Sequence, residues 1–174
     1  MAGNLEFIDS FTSGFVTSFN IDNIFSNDYD VYYFTANTGA SNFTNSFINL
    51  RLLDSTGTVI SATEYASATL EGRAWDSSFL ESRSTSQNYM ATGGYINDDS
   101  TEGTGFVQYI YNPYNSSSYT FSQTQSSSWN NNASRGLVMR KGISVHKNAE
   151  LITGIRYYVA AGTFTFEASV YGVK

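Results

Sequence analysis

The chain has 174 residues, a net charge of −6, no cysteine and only 14% charged residues, with a pI of about 4.6. That length suits a single domain over residues 1–174. The missing thiol excludes a disulfide framework and any thiolate metal site, and the few scattered Lys and Arg argue against charge-driven binding of nucleic acid or a membrane surface.

Ser, Thr and Asn fill the place that charges usually take, and aromatics reach 16%. Tyr, Phe and Thr suit half-buried pleated surfaces, while Ser and Asn suit turns. Both trends favour an all-β chain. Residues 1–10 lack a basic start and an apolar centre, so no secretory leader is expected. No apolar run approaches the roughly 18 residues that span a bilayer.

In chain order, residues 15–21 alternate polar and apolar side chains and predict one strand. Residues 29–37 predict a stronger one, with aromatics on both faces, as in a strand covered on two sides. Residues 47–53 follow. Asp54-Ser55-Thr56-Gly57 reads as a hairpin turn into a partner strand over 59–65, because glycine takes the positive φ that closes such a loop. Over residues 70–83, Leu70, Ala74 and Trp75 are spaced for a helical turn. Ser77, Ser78, Ser82 and Ser84 argue against a long helix.

Residues 89–96 read as a strand interrupted at Gly93-Gly94. Residues 103–111 alternate cleanly until Pro113 ends them. Residues 119–127 alternate again, then a polar loop is expected over 126–135 around Trp129. Residues 137–146 form a further strand. Residues 151–174 read as a terminal hairpin about Ala160-Ala161-Gly162, with Phe164, Phe166, Ala168 and Val170 on one face of a last strand that belongs to the core. About eight to ten short strands at this spacing predict an antiparallel β-sandwich or barrel.

His146 is the only histidine. A Ser-His-Asp triad would need it as base, yet Ser144 shares its face without facing it. Lys147 and Asn148 follow, so His146 is expected at the surface at a strand end. One His and no Cys leave zinc without its usual ligand set. Asp22, Asp28 and Asp30 surround one turn, and Asp98, Asp99 and Glu102 share another. Oxygen-rich loops of this kind can hold calcium or be solvated acidic loops, and neither matches a defined calcium-loop spacing. Nothing selects a glycosidase-type carboxylate pair. No catalytic residue, cofactor or metal is therefore expected. Tyr109, Tyr111, Tyr114, Tyr119 and Trp129 bracket polar loops. They are the candidate partner-contact residues, since aromatics mixed with Ser and Asn make adaptable surfaces; the alternative is that they pack under their own loops. Asn42, Asn115 and Asn132 head Asn-x-Ser/Thr triplets, expected by chance in this composition and read as unmodified.

Several short motifs recur in order: Tyr29-Asp30-Val31-Tyr32 after a polar turn, Asn49-Leu50-Arg51-Leu52, and Tyr109-Ile110-Tyr111-Asn112-Pro113. Ile152-Thr153-Gly154-Ile155-Arg156 then leads into Gly162-Thr163-Phe164, and Val170-Tyr171-Gly172-Val173-Lys174 closes the chain. This pattern resembles that of small jelly-roll-like structural proteins of tailed-phage virions. The resemblance implies a jelly-roll-like β-sandwich assembled in the host cytoplasm into the virion. It implies a capsid cement (decoration) protein, a dimer or trimer bound to the major capsid protein across subunit junctions. The alternative within the resemblance is a receptor-binding or tail-fibre module that holds host surface carbohydrate. No catalytic residues are implied, and residues 70–83 fit the pattern poorly.

Overall fold

The protein is described here by a computed structural model covering residues 4–43, 45–99, 101–131 and 136–174. Every regular element among these residues is a strand: β1 (Leu5–Val16), β2 (Ser18–Ile21), β3 (Val31–Ser41), β4 (Ser46–Asp54), β5 (Tyr65–Arg73), β6 (Leu80–Gln87), β7 (Met90–Ile96), β8 (Thr104–Tyr111), β9 (Thr120–Asn130), β10 (Gly136–His146), β11 (Ile152–Val159) and β12 (Phe164–Val173). No helix of the described residues is long and apolar enough to cross a membrane.

The strands form two antiparallel sheets of a β-sandwich. The larger runs β1-β12-β3-β8-β9-β10-β5-β6 and the smaller β2-β11-β4-β7. The pairings are nested. β1 pairs with β12 and β2 with β11, and inside them β3 pairs with β8 and β4 with β7. The β12–β3 and β11–β4 ladders join the outer pairs to the inner ones. β9, β10, β5 and β6 then extend the larger sheet as a four-stranded wing.

Alternation explains the core. Tyr32 and Phe34 of β3, Leu50 and Leu52 of β4, Ile155 and Tyr157 of β11, and Phe164 and Phe166 of β12 are fully buried between the sheets. The Tyr157 and Phe166 rings lie 4.8 Å apart and those of Phe25 and Tyr32 4.7 Å apart. Each such side chain stabilises by about 1.5–3 kcal/mol when removed from water. The Tyr157 hydroxyl donates to Gln108 Oε1 at 2.6 Å, and Gln108 Nε2 donates to Ser122 Oγ at 2.7 Å. This buried relay ties β11 to β8 and β9, and burial holds the Tyr157 hydroxyl far above the usual phenol range.

Under the wing the usual pattern is reversed. The inner positions of β9 are Thr120, Ser122, Thr124, Ser126, Ser128 and Asn130, all buried. Small side chains let β7 pack closely across β9, β10 and β5. A Cβ on Gly94 of β7 would run into Thr104. Glu71 of β5 is buried here and accepts from Arg73 Nε at 2.6 Å. The Arg140 guanidinium lies 4.9 Å over the Phe47 ring and donates to Thr69 Oγ1 at 3.0 Å. Most of the apolar residues of β9 and β10 face water instead, Phe121, Trp129, Leu137, Met139 and Ile143 among them, while Val138 is buried.

The structure departs from the sequence reading at definite points. Residues 15–21 are not one strand: the chain bends at Thr17, and β1 and β2 lie in different sheets. Asp54 does head a turn, its Oδ1 accepting from the Thr56 and Thr58 amides, and Gly57 has φ 78°. Beyond it, however, the expected 59–65 strand reduces to a single Leu53–Val59 bridge. Residues 70–83 form the β5–β6 hairpin, with no helical turn. The expected interruption at Gly93-Gly94 is a register shift opposite Phe47 and Asn49, not a break. Residues 126–130 continue β9, so Trp129 sits in a strand and not in a loop; residues 132–135 lie outside the described residues.

The terminal pair is the largest correction. β11 and β12 both exist, and Phe164, Phe166, Ala168 and Val170 are buried as expected. They do not form a hairpin: β11 pairs with β2 and β4, and β12 with β1 and β3. The Ala160-Ala161-Gly162 turn is an arch between the sheets. Alternation fixes which residues share a face but not which sheet a strand joins.

Candidate docking face

The outer face of the larger sheet is the feature that stands out from a well-packed sandwich. Register aligns its outward side chains in rows across the strands. One row joins Leu5, Val173, Val31, Tyr111, Phe121 and Val145. The next joins Phe7, Tyr171, Tyr33, Tyr109, Gln123 and Ile143. Together they form an aromatic and aliphatic band running across the sheet. Ring centroids follow one another at 5.7 Å from Phe7 to Tyr171, 6.1 Å to Tyr33, 4.9 Å to Tyr109 and 6.1 Å to Tyr111.

The band is open to water. Ile143 is 62% exposed, Phe7 58%, Leu5 54% and Phe121 43%. With about 150–250 Å² for one large side chain, these four leave roughly 300–550 Å² uncovered. The half-buried tyrosines and valines of the two rows add to that. The largest apolar patch on a typical monomer is about 300–600 Å². Burial raises the Tyr33 and Tyr111 hydroxyls above the usual phenol range, reinforced by neighbouring tyrosines. They therefore remain hydrogen-bond donors across the neutral range.

Two hollows open on this face. One, of about 820 Å³, lies within the band and is lined by Ala66, Ala68, Tyr111, Phe121, Ile143 and Val145, with Arg83 and Gln123 also on its walls. The other, of about 740 Å³, is of mixed character, with Asn37, Gln125 and Glu167 beside Phe11, Val107 and Met139 on its walls. Preformed hollows beside flat aromatic rows suit an interface with apolar anchors and a polar surround.

Of the residues singled out by sequence, Tyr109 and Tyr111 lie on the band. Trp129 shares the face but stands at the far end of β9, opposite Leu137 on β10. Tyr119 is exposed just before β9, and Tyr114 packs against the core, away from the band. The sequence reading missed Phe7, Tyr33, Phe121, Ile143 and Tyr171. Their alternation is visible in the sequence, but only cross-strand register brings residues of five separate strands into one band.

The acidic loops are less organised. Asp22, Asp28 and Asp30 are exposed and spread around their turn. Asp99 accepts from both the amide and the hydroxyl of Thr101, which holds its carboxyl below the usual range. Burial pushes the Glu102 carboxyl up, helped by Asp99 and Asp98. Asn42 Oδ1 accepts from the Thr163 amide and Asn115 Oδ1 from the Ser117 amide. Asn132 lies outside the described residues.

His146 is not the surface residue that its neighbours imply. It is fully buried at the end of β10, its ring 4.9 Å from that of Tyr65. Its Nε2 points at Glu64 Oε2, 3.3 Å away, and at Glu150 Oε1, 3.6 Å away. Lys147 faces away, its ammonium on the Thr85 carbonyl. No family model matches the chain, and no curated protein matches it either.

Proposed function

We propose that this protein is a structural component of a virion, a cement (decoration) protein that seats the outer face of its larger sheet on the shell. Its partner is the major capsid protein at subunit junctions, and its own copies associate as a dimer or trimer. The supporting observation is the water-facing band of Phe7, Tyr171, Tyr33, Tyr109, Phe121 and Ile143. A standard interface takes about 800 Å² from each partner, of which roughly 56–65% is apolar. The band supplies apolar surface of that order.

The nested strand pairing also favours this reading. We read β1, β12, β3 and β8 in one sheet and β2, β11, β4 and β7 in the other as the two layers of a jelly-roll-like sandwich, an architecture used by capsid and lectin domains. The wing β9-β10-β5-β6 enlarges one sheet, and its β9 and β10 carry a third of the band. Binding at many equivalent positions stabilises the assembled shell by mass action, and modest individual contacts add up by avidity. The test is the number of copies per purified particle. Hundreds on the head fit a cement protein; a few at the tail tip contradict it.

A second reading has its own support. The tyrosine row runs beside a hollow of mixed polarity whose walls include Asn37, Gln125 and Glu167, and sugars bind through aromatic faces flanked by hydrogen-bonding side chains. A tail-fibre module for host surface carbohydrate follows from that arrangement. Binding of host polysaccharide that is lost in Tyr109→Ala would favour this reading over the first.

A further inference from the structure

We propose that Glu64, His146 and Glu150 form a binding site for one divalent transition-metal ion of the zinc type. The inference is independent of the docking face. The three residues come from different segments: Glu64 immediately precedes β5, His146 ends β10, and Glu150 lies in the connection to β11. The backbone holds them together, because the Lys147 amide donates to the Glu64 carbonyl at 2.9 Å. One ligand atom from each lies within 4.8 Å of the others.

The distances suit a metal. Bonds of about 2.0–2.2 Å to nitrogen and oxygen put the corners of a tetrahedron roughly 3.3–3.6 Å apart. His146 Nε2 lies 3.3 Å from Glu64 Oε2 and 3.6 Å from Glu150 Oε1. A proton serves this geometry less well. One ring nitrogen carries one hydrogen, which reaches two carboxylate oxygens only through a bent, weaker three-centre bond. A divalent cation bonds all three atoms and balances both carboxylate charges. The Lys147 ammonium, the nearest cation in sequence, is directed to Thr85 and does not do this.

The donor set also selects the ion. Imidazole nitrogen favours zinc, cobalt, nickel or copper over calcium and magnesium, which prefer all-oxygen shells. Access is provided by the carboxylates: the Glu64 side chain is 42% exposed and that of Glu150 31%, whereas His146 is fully enclosed. Asn148 Nδ2 donates to Glu150 Oε1 at 3.1 Å and orients it. Three protein ligands leave a fourth position for water or for a ligand from a neighbouring molecule.

The test uses the full chain, stripped with chelator and titrated with Co²⁺, then with Zn²⁺ in competition. Wild type is expected to take up one Co²⁺ per chain with the visible absorption of a four-coordinate site, and to melt at higher temperature with Zn²⁺. Glu150→Gln and Glu64→Gln alter exposed groups and preserve folding, which circular dichroism verifies. Each is expected to weaken the metal at least about tenfold, the scale of loss on disturbing a metal site. His146→Asn should abolish uptake if it folds. No uptake by wild type overturns the proposal, and so does equal uptake by both glutamate variants.

Discussion

Ile143 offers the sharpest test of the open face. It lies mid-strand in β10, between Gln123 and Ala68, and is 62% exposed. Fully burying such a side chain is worth about 1.5–3 kcal/mol. The part still open in the free protein therefore holds about 1–2 kcal/mol of association energy, or roughly 5–30-fold in affinity. Ile143→Thr keeps the β-branched shape and its strand preference while making the exposed tip polar. Urea unfolding should place its folding stability within about 0.5 kcal/mol of wild type, as for other exposed substitutions. Rebinding of purified protein to stripped particles, read by co-sedimentation, should weaken by the 5–30-fold derived above. A stability loss of about 1.5 kcal/mol or more would mean that Ile143 supports its own fold. Unchanged stability with unchanged binding would put the contact on another surface.

Other outcomes follow from the interior. Tyr157→Phe strips the donor from Gln108 Oε1 and leaves a buried acceptor unpaired, so it should cost about 1–3 kcal/mol in chemical denaturation. Gly172→Ala places a methyl against the Tyr29 ring and should destabilise by about 1–3 kcal/mol, the scale of overpacking. Glu102 has a raised carboxyl pKa in the folded protein. The native state therefore binds its proton more tightly than the unfolded chain does, and stability falls as pH rises through the interval just above the ordinary glutamate value. Glu102→Gln should accordingly stabilise at neutral pH, with the gain disappearing under acid conditions, as pH-dependent melting can establish.

The two ends of the β10 strand illustrate what a sequence can and cannot convey. Alternation over residues 137–146 identified the strand and its two faces. It could not say that Leu137, Met139 and Ile143 face water while Gly142, Ser144 and His146 face inward. The usual rule of apolar side chains inside is relaxed here, where β7 packs closely across the wing. Small and polar residues fill most of the inward row of β9 and β10, with Val138 its buried apolar member. His146 was misread for a related reason: its followers Lys147 and Asn148 are polar, but the chain turns there and folds Glu64 and Glu150 over the ring. Strand existence is a local property and was mostly legible. Sheet membership of β11 and β12, the division of residues 5–21 into β1 and β2, and the metal-ligand cluster depend on contacts between distant segments.

The borders of both sheets limit how copies can join. β1 has register shifts at Phe7/Asp9 and at Ser13/Val16, and β6, at the opposite border, carries Glu81 and Arg83 in its first half. β2 is four residues long, and the ladder of β7 shifts register opposite Phe47 and Asn49. Kinks, charge and shortness all discourage strand-by-strand growth. Edge-to-edge ribbons are thereby disfavoured, and any association between copies is left to the sheet faces.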